Sequence, residues 1–551
     1  MVFLLTFILK KMRLIYLAIL LLNFSLNAQN TIGVLSNSEK SFNGYTLFTA
    51  QTETYLINNC GEVINQWSSE YQSGKSVYLL KNGNLLRAAK FDNSNINFGG
   101  VGGRIELFDW EGNLTWEYNY STDQFRQHHD IFPLPNGNIL MLAVTVVNKT
   151  NAIQLGRNPA NLPEDELYNE QILELEPIGT NSANVVWEWN IIDHLIQDFD
   201  NSKDNFGVIS ENPQLIDINF LGLSNGNANW LHVNSIQYNA QLDQIILSTR
   251  HFNEIYIIDH STTTLEASTH LGGIYGKGGD ILYRWGNPIT YKQGTNTDQK
   301  LYGQHYPHWI PQGFTDEDKI ILFNNGFNRD TQFSEVNILN PPTDSPGFYS
   351  YNANTAFGPE NPFYIYTNPV TTDFYSPILS SAQRLQNGNT LICEGTSGHF
   401  FEIDSNNTIV WQYINPAGAS GIMSQGDNPD FSANSIFRVK KYAPEYAAFN
   451  GKDLTPGLPI EINPDLSNCD VLSIKENIIT DIKIFPNPVE NLISIKSKEK
   501  ISKIEVFNLF GKIVHRNTNK NRINISDLTS GIYMLKIHSF NKVVYKKIIK
   551  T

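Results

Sequence analysis

The tripeptide Asn-Gly-Asn stands at residues 136–138 and recurs at residues 82–84 and 387–389. An Asn-Gly pair between apolar strands is the strongest short-range signal for a β-hairpin, because these residues accept the positive φ angles of a tight turn. Each copy lies between apolar runs of the sequence. The sequence therefore predicts three hairpins of one kind.

A second pattern accompanies these turns, namely a short strand that ends in an aromatic residue. The strand ends in Trp67, Trp116, Trp187, Trp285 and Trp411, and one copy reads Tyr364-Ile365-Tyr366 instead. Together the two patterns define six units between residues 40 and 450. Short antiparallel strands repeated in this way predict an all-β chain and a six-bladed β-propeller. A β-sandwich is the alternative, but it does not account for six similar units, and the strand-like alternation excludes a helical solenoid.

The spacing of the units is uneven, with long insertions near residues 145–230 and 330–375. In a propeller such insertions form loops on the faces, often around the functional opening.

The start of the chain reads as a leader. Lys10, Lys11 and Arg13 precede an apolar run over residues 14–24, which is followed by small residues. This order is typical of a signal peptide, which we place at residues 1–28. A membrane anchor is the alternative, but the run is short for a bilayer span. We expect no span after removal of the leader, and a location outside the cell or on its surface, reached through the periplasm.

The formal net charge of −14 is unevenly distributed. Residues 481–551 hold 14 basic and 5 acidic residues, whereas residues 29–480 hold 23 basic and 49 acidic ones. A body this acidic repels phosphate backbones, so we expect no nucleic-acid partner.

The three cysteines are Cys60, Cys393 and Cys469. Export permits a disulfide, and a bond between Cys60 and Cys469 would tie the ends of the repeat region together, although sequence alone does not fix the pairing. Cys393 lies in an apolar strand and is expected to be a buried thiol. No CxxC or HExxH pattern indicates a zinc site.

The pattern changes after residue 470. Residues 484–489 read Ile-Phe-Pro-Asn-Pro-Val, and Gly511-Lys512 and Gly531-Ile532-Tyr533 follow among short alternating strands. These strands predict a small appended β-sandwich. The elements, in this order, resemble the C-terminal sorting domain of the type IX secretion system of Bacteroidetes. The resemblance implies passage across the outer membrane by that machinery, then removal of the domain. We predict a propeller over residues 29–465, a linker over 466–480 and the sorting domain over 481–551.

The repeats also align with one another. Counting seven residues back from the first Asn of each turn, or from its equivalent, selects one position in each unit. These positions are Lys75, His129, His232, His305, Ser380 and Asn434. Equivalent positions of a propeller lie on one ring around its axis, so three successive blades each bring a histidine to a shared site, although the chain has only 12 histidines. Three neighbouring histidines point the other way on their strands and are expected at the surface or behind the ring. They are His128, His251 and His308.

Three histidines permit two chemistries. One is a three-histidine metal site with an open position for water. The other is nucleophilic catalysis by one imidazole while other cationic groups hold an anion. Arg250 closes an apolar strand just after the strand of His232. A fixed cation disfavours a metal ion and favours a sulfate or phosphate group. The glycine-rich run at residues 272–279 does not match a nucleotide-binding loop.

Four segments of this region resemble the bacterial arylsulfate sulfotransferases. They are His232-Val233-Asn234-Ser235-Ile236, Leu247-Ser248-Thr249-Arg250, Gln304-His305 and Ile321-Leu322-Phe323-Asn324-Asn325-Gly326. The resemblance implies a six-bladed propeller that moves a sulfuryl group between phenols through a sulfohistidine, without a nucleotide donor or other cofactor. It implies that His305 is the nucleophile. The residues implied to bind sulfate are His129, His232, Asn234 and Arg250.

We add the remaining ring positions, Lys75, Ser380 and Asn434, as substrate-binding candidates. The expected partners are an aryl sulfate and a phenol. Two other functions remain open: a non-catalytic surface propeller that binds glycan or protein, and an aryl sulfatase that uses the same site with water as acceptor.

Overall fold

The computed structural model describes residues 30–429, 432–469, 482–497, 501–508, 512–518, 521–539 and 542–551. The chain divides into two compact units, Met1–Val471 and Leu472–Thr551. The predicted signal peptide lies outside the described residues, as does the predicted linker from residue 470 onward. The predicted domain boundaries therefore stay predictions.

The first unit is built almost entirely of strands. Strands β1 to β12 span Gly33–Asn37, Tyr45–Ala50, Glu53–Ile57, Val63–Ser68, Ser73–Leu79, Leu85–Lys90, Gly103–Phe108, Leu114–Asn119, Phe125–Pro133, Ile139–Asn148, Glu166–Ile178 and Ser182–Asn190. Strands β13 to β24 span Leu195–Ile196, Ile216–Asp217, Val233–Asn239, Gln244–Thr249, Glu254–Asp259, Tyr283–Trp285, His305–Trp309, Ile320–Asn324, Glu335–Leu339, Thr343–Ser345, Phe348–Tyr349 and Tyr364–Tyr366. Strands β25 to β31 span Ser381–Arg384, Thr390–Glu394, His399–Ile403, Ile409–Ile414, Ala417–Gly418, Gly421–Ile422 and Lys440–Tyr442. The predicted all-β class is confirmed.

Helical structure is short and lies between the strands. The α-helices are α1 (Lys149–Gln154) and α2 (Thr264–Ala267). The single 3-10 turns are Pro159–Asn161, Ile191–His194, Ile209–Glu211, Gly222–Ser224, Pro288–Tyr291, Asn296–Asp298, Thr371–Asp373, Ala447–Phe449 and Leu466–Asn468. Among the described residues, none of the helices has the length and apolar character needed to cross a membrane.

Six antiparallel sheets follow one another along the first unit. In strand order they are β31-β2-β3-β4, β5-β6-β7-β8, β9-β10-β11-β12, β15-β16-β17-β18, β19-β20-β21-β24 and β25-β26-β27-β28-β1. The first strands of neighbouring sheets pack together, as β5 does against β9 and β15 against β19. We interpret the six sheets as the six blades of the predicted propeller.

The aromatic residue of each repeat connects its sheet to the next. The indole nitrogen of Trp67 in the first sheet donates to the Asp109 carbonyl in the second, at 2.8 Å. The other tryptophans make the corresponding bonds: Trp116 to Ser182 O, Trp187 to Thr262 Oγ1, Trp285 to Pro359 O and Trp411 to Asn59 O. In the fifth sheet the hydroxyl of Tyr364 takes this role and donates to Asn407. The bond from Trp411 returns to the first sheet, so the series closes on itself.

Both ends of the repeat region contribute strands to the ring. Strand β31 pairs with β2, with Tyr442 opposite Tyr45, and β1 pairs with β28, with Gly33 opposite Ile414. The disulfide joins Cys60 to Cys469, and Cys393 is a free, buried cysteine. The proposed pairing and the buried thiol are both confirmed, and the bond links the first sheet to the chain that follows the last.

A buried ion pair lies between the first strands of the sheets. The guanidinium of Arg438 donates to both carboxylate oxygens of Asp130, at 2.8 and 3.2 Å, and to the hydroxyl of Tyr78 at 2.8 Å. Gln237 donates to the same hydroxyl. These side chains come from β5, β9, β15 and the segment before β31, so one polar network joins three sheets to the closing segment.

The second unit contains two further antiparallel sheets. Strands β32 to β38 span Lys483–Phe485, Leu492–Lys496, Ile501–Phe507, Ile513–Thr518, Arg522–Asn524, Gly531–Ser539 and Lys542–Lys550. The sheets are β32-β33-β36 and β35-β34-β37-β38. Ile493 and Ile523 of the first sheet share one buried core with Val506 and Leu535 of the second. The predicted sandwich stays our interpretation of this packing.

Candidate active site

The ring positions predicted from the repeats lie within or before the first strands of the sheets, and the backbone is kinked at four of them. Lys75, His129, His232 and Ser380 have φ angles of 102°, 48°, 51° and 87°. Non-glycine residues rarely adopt positive φ, and such residues often occur at functional sites. In the fifth sheet the positive φ of 54° belongs to Tyr306, so His305 lies one residue before the kink.

Two of the predicted histidines are in contact. The ring centroids of His129 and His232 lie 4.7 Å apart, and the ring of Phe98 lies within 6.3 Å of both. The ring of Phe437 lies 6.2 Å from His129 and 6.3 Å from His305. Phe437 thus lies beside both His129 and His305, and the three predicted histidines form one cluster.

The imidazole of His305 is buried and held in one orientation. Its Nδ1 lies 2.8 Å from Oδ1 of Asn325 and 3.1 Å from the carbonyl oxygen of Gly303. Because both partners are acceptors, Nδ1 carries the proton and Nε2 presents a lone pair. Within the described part of the chain Nε2 has no hydrogen-bond partner. His305 is thereby held as a neutral imidazole whose Nε2 lone pair is free.

Arg250 is a buried cation without an anionic partner. Its side chain is 9% exposed, its Nε has no hydrogen-bond partner, and its guanidinium lies 4.8 Å from the ring of Phe327. No salt bridge to it is formed among the described residues. Burial lowers the pKa of Arg250 to about 10. A desolvated, unpaired guanidinium is a strong site for a sulfate or phosphate group.

The same burial and charge act on the histidines. Burial, followed by the positive charge of Arg250, lowers the pKa of His305 to about 3. Burial also lowers the pKa values of His129 and His232, with contributions from neighbouring histidines and from Arg250. The four residues predicted to be catalytic therefore lie within electrostatic range of one another, and the histidines are neutral near pH 7.

A hydrogen-bonded chain lies behind His129. Its Nδ1 is 2.9 Å from Nδ1 of His128, and Nε2 of His128 is 3.0 Å from a carboxylate oxygen of Glu170. The other oxygen of Glu170 accepts from the backbone N–H of Val233. If His128 donates to Glu170, neutral His128 accepts from His129, whose Nε2 is then unprotonated. His128 is fully buried, so its expected place is behind the ring and not at the surface.

The other two histidines next to the predicted ring positions, His251 and His308, are also partly or fully buried. His251 stacks on His232 with centroids 4.7 Å apart, and its Nδ1 donates to the Asn229 carbonyl at 2.9 Å. The side chain of Asn229 lies 2.7 Å from Nδ1 of His232. With the amide nitrogen as donor, the proton of neutral His232 is on Nε2. His308 contacts the ring of Tyr306 and lies on the far side of the kink.

The predicted substrate-binding residues differ in their surroundings. Lys75 is close enough to His129 for its charge to contribute to the lowered pKa of that imidazole. Asn234 is fully buried and donates to the Gln304 carbonyl at 2.8 Å, so it holds the residue before His305. The hydroxyl of Ser380 donates to Ser376, and the amide of Asn434 donates to the Asn415 carbonyl. A substrate contact by any of these four residues stays a prediction.

The three-histidine metal site is not assembled. Within the described residues, His129, His232 and His305 do not bring three ligand atoms within 4.8 Å of one another. Together with the unpaired Arg250, this geometry suits an anion better than a metal ion.

Four residues of the candidate site were not predicted from the sequence. Asn325 follows strand β20 as Arg250 follows β16, so the position at the end of an apolar strand that singled out Arg250 also singles out Asn325. Gly100 packs against the imidazole of His129, where a Cβ atom would collide with Nε2, and only the glycine run at residues 99–103 signalled this approach. Phe437 and Glu170 carried no sequence signal, because Phe437 comes from the segment before β31 and Glu170 lies two strands away from β9 in the same sheet.

The fold and site define an all-β repeat protein with a buried cationic centre. The profile described as Arylsulfotransferase (ASST) matches residues 26–425, and the chain belongs to this family. Residues 483–551 match the secretion system C-terminal sorting domain, which indicates export. Both resemblances predicted from the sequence are confirmed.

Two curated relatives match a shorter segment. The arylsulfate sulfotransferase AssT of Lelliottia amnigena is 28% identical over 181 residues, which cover 32% of this chain and 29% of that protein. The protein of the same name from Escherichia coli O6:H1 is 28% identical over 189 residues, covering 33% of this chain and 30% of that protein. The chain thus spans about three tenths of the length of these relatives.

Solved structures with similar folds include a protein of unknown function from Bacteroides caccae, with a TM-score of 0.37 and 11% identity. The similarity covers 72% of this chain and 98% of that one. Virginiamycin B lyase from Staphylococcus aureus gives a TM-score of 0.30 and 11% identity, with 69% and 86% coverage.

Proposed function

We propose that the protein transfers a sulfuryl group from a phenolic sulfate ester to a phenol through a sulfohistidine at His305. The observation that carries this proposal is the state of His305. Its Nδ1 proton is bound by Asn325 and Gly303, its Nε2 lone pair is free, and an unpaired Arg250 lies near enough to lower its pKa. A nucleophile needs the lone pair, and an anionic group needs the cation.

In the first half-reaction, Nε2 of His305 attacks the sulfur atom of the aryl sulfate. The N–S bond forms while the S–O bond to the aryl group breaks, and the aryl oxide leaves with the electron pair. Arg250 and Nε2–H of His232 stabilise the sulfuryl oxygens in a loose, in-line transition state, as in phosphoryl transfer. Removing one donor of this kind costs about 3–4 kcal/mol of transition-state stabilisation.

In the second half-reaction, a phenol oxygen attacks the sulfur and the N–S bond breaks, which returns neutral His305. The phenol proton passes to Nε2 of His129. The hydrogen-bonded chain through His128 to Glu170 stabilises the resulting imidazolium, because the carboxylate is buried at the end of that chain. The aryl oxide released in the first half-reaction takes its proton from water, and the imidazolium of His129 returns one proton to water after the second. The two half-reactions balance and need no cofactor.

The test is an assay of the exported protein with 4-nitrophenyl sulfate, with and without added phenol. We expect nitrophenol release that depends on phenol, with ping-pong kinetics, and its loss in His305→Ala. Mass spectrometry under basic conditions, in which the acid-labile sulfohistidine survives, locates the sulfuryl group on the chain. His399→Ala is the matched control, since His399 lies on β27 and pairs with Glu394 outside the site.

Other results would assign a different function. Release of nitrophenol without phenol identifies an aryl sulfatase. An absence of release with a range of aryl sulfates, in a folded protein, contradicts the enzyme and leaves the binding propeller. Full activity in His305→Ala would reject His305 as the nucleophile.

We also propose that export proceeds through the periplasm and the type IX machinery, with removal of residues 481–551. The support is the match of residues 483–551 to a sorting domain. Deletion of these residues should keep the protein inside the outer membrane, which fractionation and immunoblotting would detect.

A further inference from the structure

A second histidine cluster lies outside the candidate active site. His194 belongs to the turn after β12, and His270 and Asp280 flank the glycine-rich loop between α2 and β18. Nδ1 of His194 and Nδ1 of His270 each lie 2.8 Å from the same oxygen, Oδ1 of Asp280. The three ligand atoms all lie within 4.8 Å of one another.

The hydrogen bonds of His194 indicate which of its ring nitrogens faces Asp280 without a proton. The side chain is fully buried, and its Nε2 lies 2.9 Å from the carbonyl oxygen of Ala267. A carbonyl can only accept, so Nε2 carries a proton and Nδ1 of the neutral ring presents a lone pair. A lone pair 2.8 Å from a carboxylate oxygen is repulsive unless a cation lies between them. That cation is a second proton or a metal ion.

The arrangement has the features of a metal site. Two imidazoles and a carboxylate are common zinc ligands, and a ligating histidine usually donates its other N–H to a carbonyl, as His194 does to Ala267. Bonds of about 2.0–2.2 Å place the ligands of a tetrahedral ion about 3.4 Å apart. The observed separations, 2.8 Å for two pairs and at most 4.8 Å overall, bracket that value.

The residues around the cluster hold the buried His194 in place and leave His270 accessible to solvent. The indole of Trp189 stacks on His194 at 5.5 Å with an interplanar angle of 7°, and it donates to the Gly279 carbonyl. A Cβ atom at residue 279 would collide with His194 and with the Ala267 carbonyl, so the close approach requires glycine. His270 is 60% exposed, which gives an ion a path from solution.

We propose that His194, His270 and Asp280 bind a divalent ion of the zinc class, with the fourth position open to water. The ion replaces the protons that would otherwise separate the two imidazoles from the carboxylate. It joins the turn after the third sheet to the loop before the last strand of the fourth, and so stabilises the boundary between those sheets. The site is independent of the proposed sulfuryl transfer.

The test uses the full chain after chelation. We expect saturable binding of one Zn²⁺ by calorimetry, visible d–d absorption with Co²⁺ and a rise in Tm on adding zinc. His270→Ala removes one exposed ligand, keeps the fold and should abolish all three signals. Asp280→Asn should weaken binding at least about tenfold. The control His399→Ala should bind as the unchanged protein does.

Two results would overturn the proposal. One is the absence of saturable Zn²⁺ and Co²⁺ binding in the folded, unchanged chain, which would show that protons alone hold the cluster. The other is undiminished binding in His270→Ala, which would place the ion elsewhere in the chain.

Discussion

At the scale of single residues, the site depends on how one proton is placed. Asn325 and Gly303 accept hydrogen bonds from the Nδ1 proton of His305, which leaves the lone pair of Nε2 free for the proposed reaction. Arg250 supplies charge without competing for that nitrogen, because it is held beside Phe327. The amide of Asn325 is itself fixed by donation to the carbonyls of Ser376 and Leu379. Orientation and charge thus come from different residues.

Replacing Asn325 should alter the pH dependence of the reaction. In Asn325→Asp a carboxylate faces the Nδ1 proton of His305 and stabilises the imidazolium, so the pKa of His305 rises from about 3. We expect the acid side of the profile of kcat/KM to move to higher pH. Asn325→Ala should lower kcat at every pH through lost orientation. An unchanged acid side in Asn325→Asp would contradict the assigned contact.

The buried histidines should also make the protein acid-sensitive. Burial lowers the pKa of His305 to about 3 and that of His251 to about 4, whereas an unfolded histidine titrates near 6.5. Below pH 6.5 these histidines therefore bind protons in the unfolded chain but not in the folded chain. The stabilisation present above pH 6.5 is lost by about 1.4 kcal/mol per pH unit for each such histidine, until the folded pKa is reached.

Urea unfolding between pH 7 and pH 5 measures this loss. His251→Gln removes one titrating group and keeps His129, His232 and His305, so the free energy of unfolding of the variant should fall less steeply with decreasing pH. Parallel curves for the two proteins would contradict the buried, neutral state of His251.

At the scale of elements, the repeated tryptophan has two roles. Each ring fills the space between sheets, and each indole N–H makes one bond to the next sheet. The Asn-Gly-Asn turns place the strands, but the tryptophans join the sheets. The tyrosine that replaces tryptophan in the fifth unit keeps the bond with a hydroxyl donor.

Substitution of Trp411 should separate these roles. Trp411→Phe keeps most of the ring but loses the bond to Asn59, which should cost about 1 kcal/mol. Trp411→Ala also leaves a cavity, for a total of about 3–5 kcal/mol. Denaturant unfolding of the two variants measures the difference. Equal losses would mean that the indole N–H contributes nothing to the junction.

The sequence predicts the elements of this protein better than their contacts. Turn residues and alternation indicate the strands, and counting from the turns finds His129, His232 and His305. The contribution of Phe437 and Glu170 could not be predicted, because Phe437 comes from the distant segment before β31, Glu170 lies two strands away from His129 in its sheet, and no local pattern marks either residue. The kink at Tyr306 was not predicted either, since the hairpin of β19 and β20 lacks the Asn-Gly-Asn turn.

At the scale of the whole molecule, the ring is closed by bonds between distant parts of the sequence. The disulfide between Cys60 and Cys469 links residues separated by 409 positions. A cross-link over so long a segment restricts the unfolded chain strongly, and removal of such bonds typically costs about 2–5 kcal/mol. The double variant Cys60→Ala/Cys469→Ala should therefore have a lower Tm.

Calorimetry with and without a reductant tests this prediction. Reduction should lower the Tm of the unchanged protein toward that of the double variant and should leave the variant itself unaffected. A reductant effect on the variant would point to another cause, since the remaining Cys393 is a free, buried thiol.

The strand exchange at the ends of the ring has a consequence for synthesis. The last sheet includes β1 from the start of the repeat region, and the first sheet needs β31, so the first sheet is complete only when the chain has been made as far as residue 442. A chain whose translation ends early lacks the closing strand β31 and exposes unpaired strand edges. It also lacks the C-terminal sorting domain. Interrupted translation would therefore yield fragments with an incomplete first sheet and no sorting domain. Such fragments can be degraded before any of them reaches the cell surface.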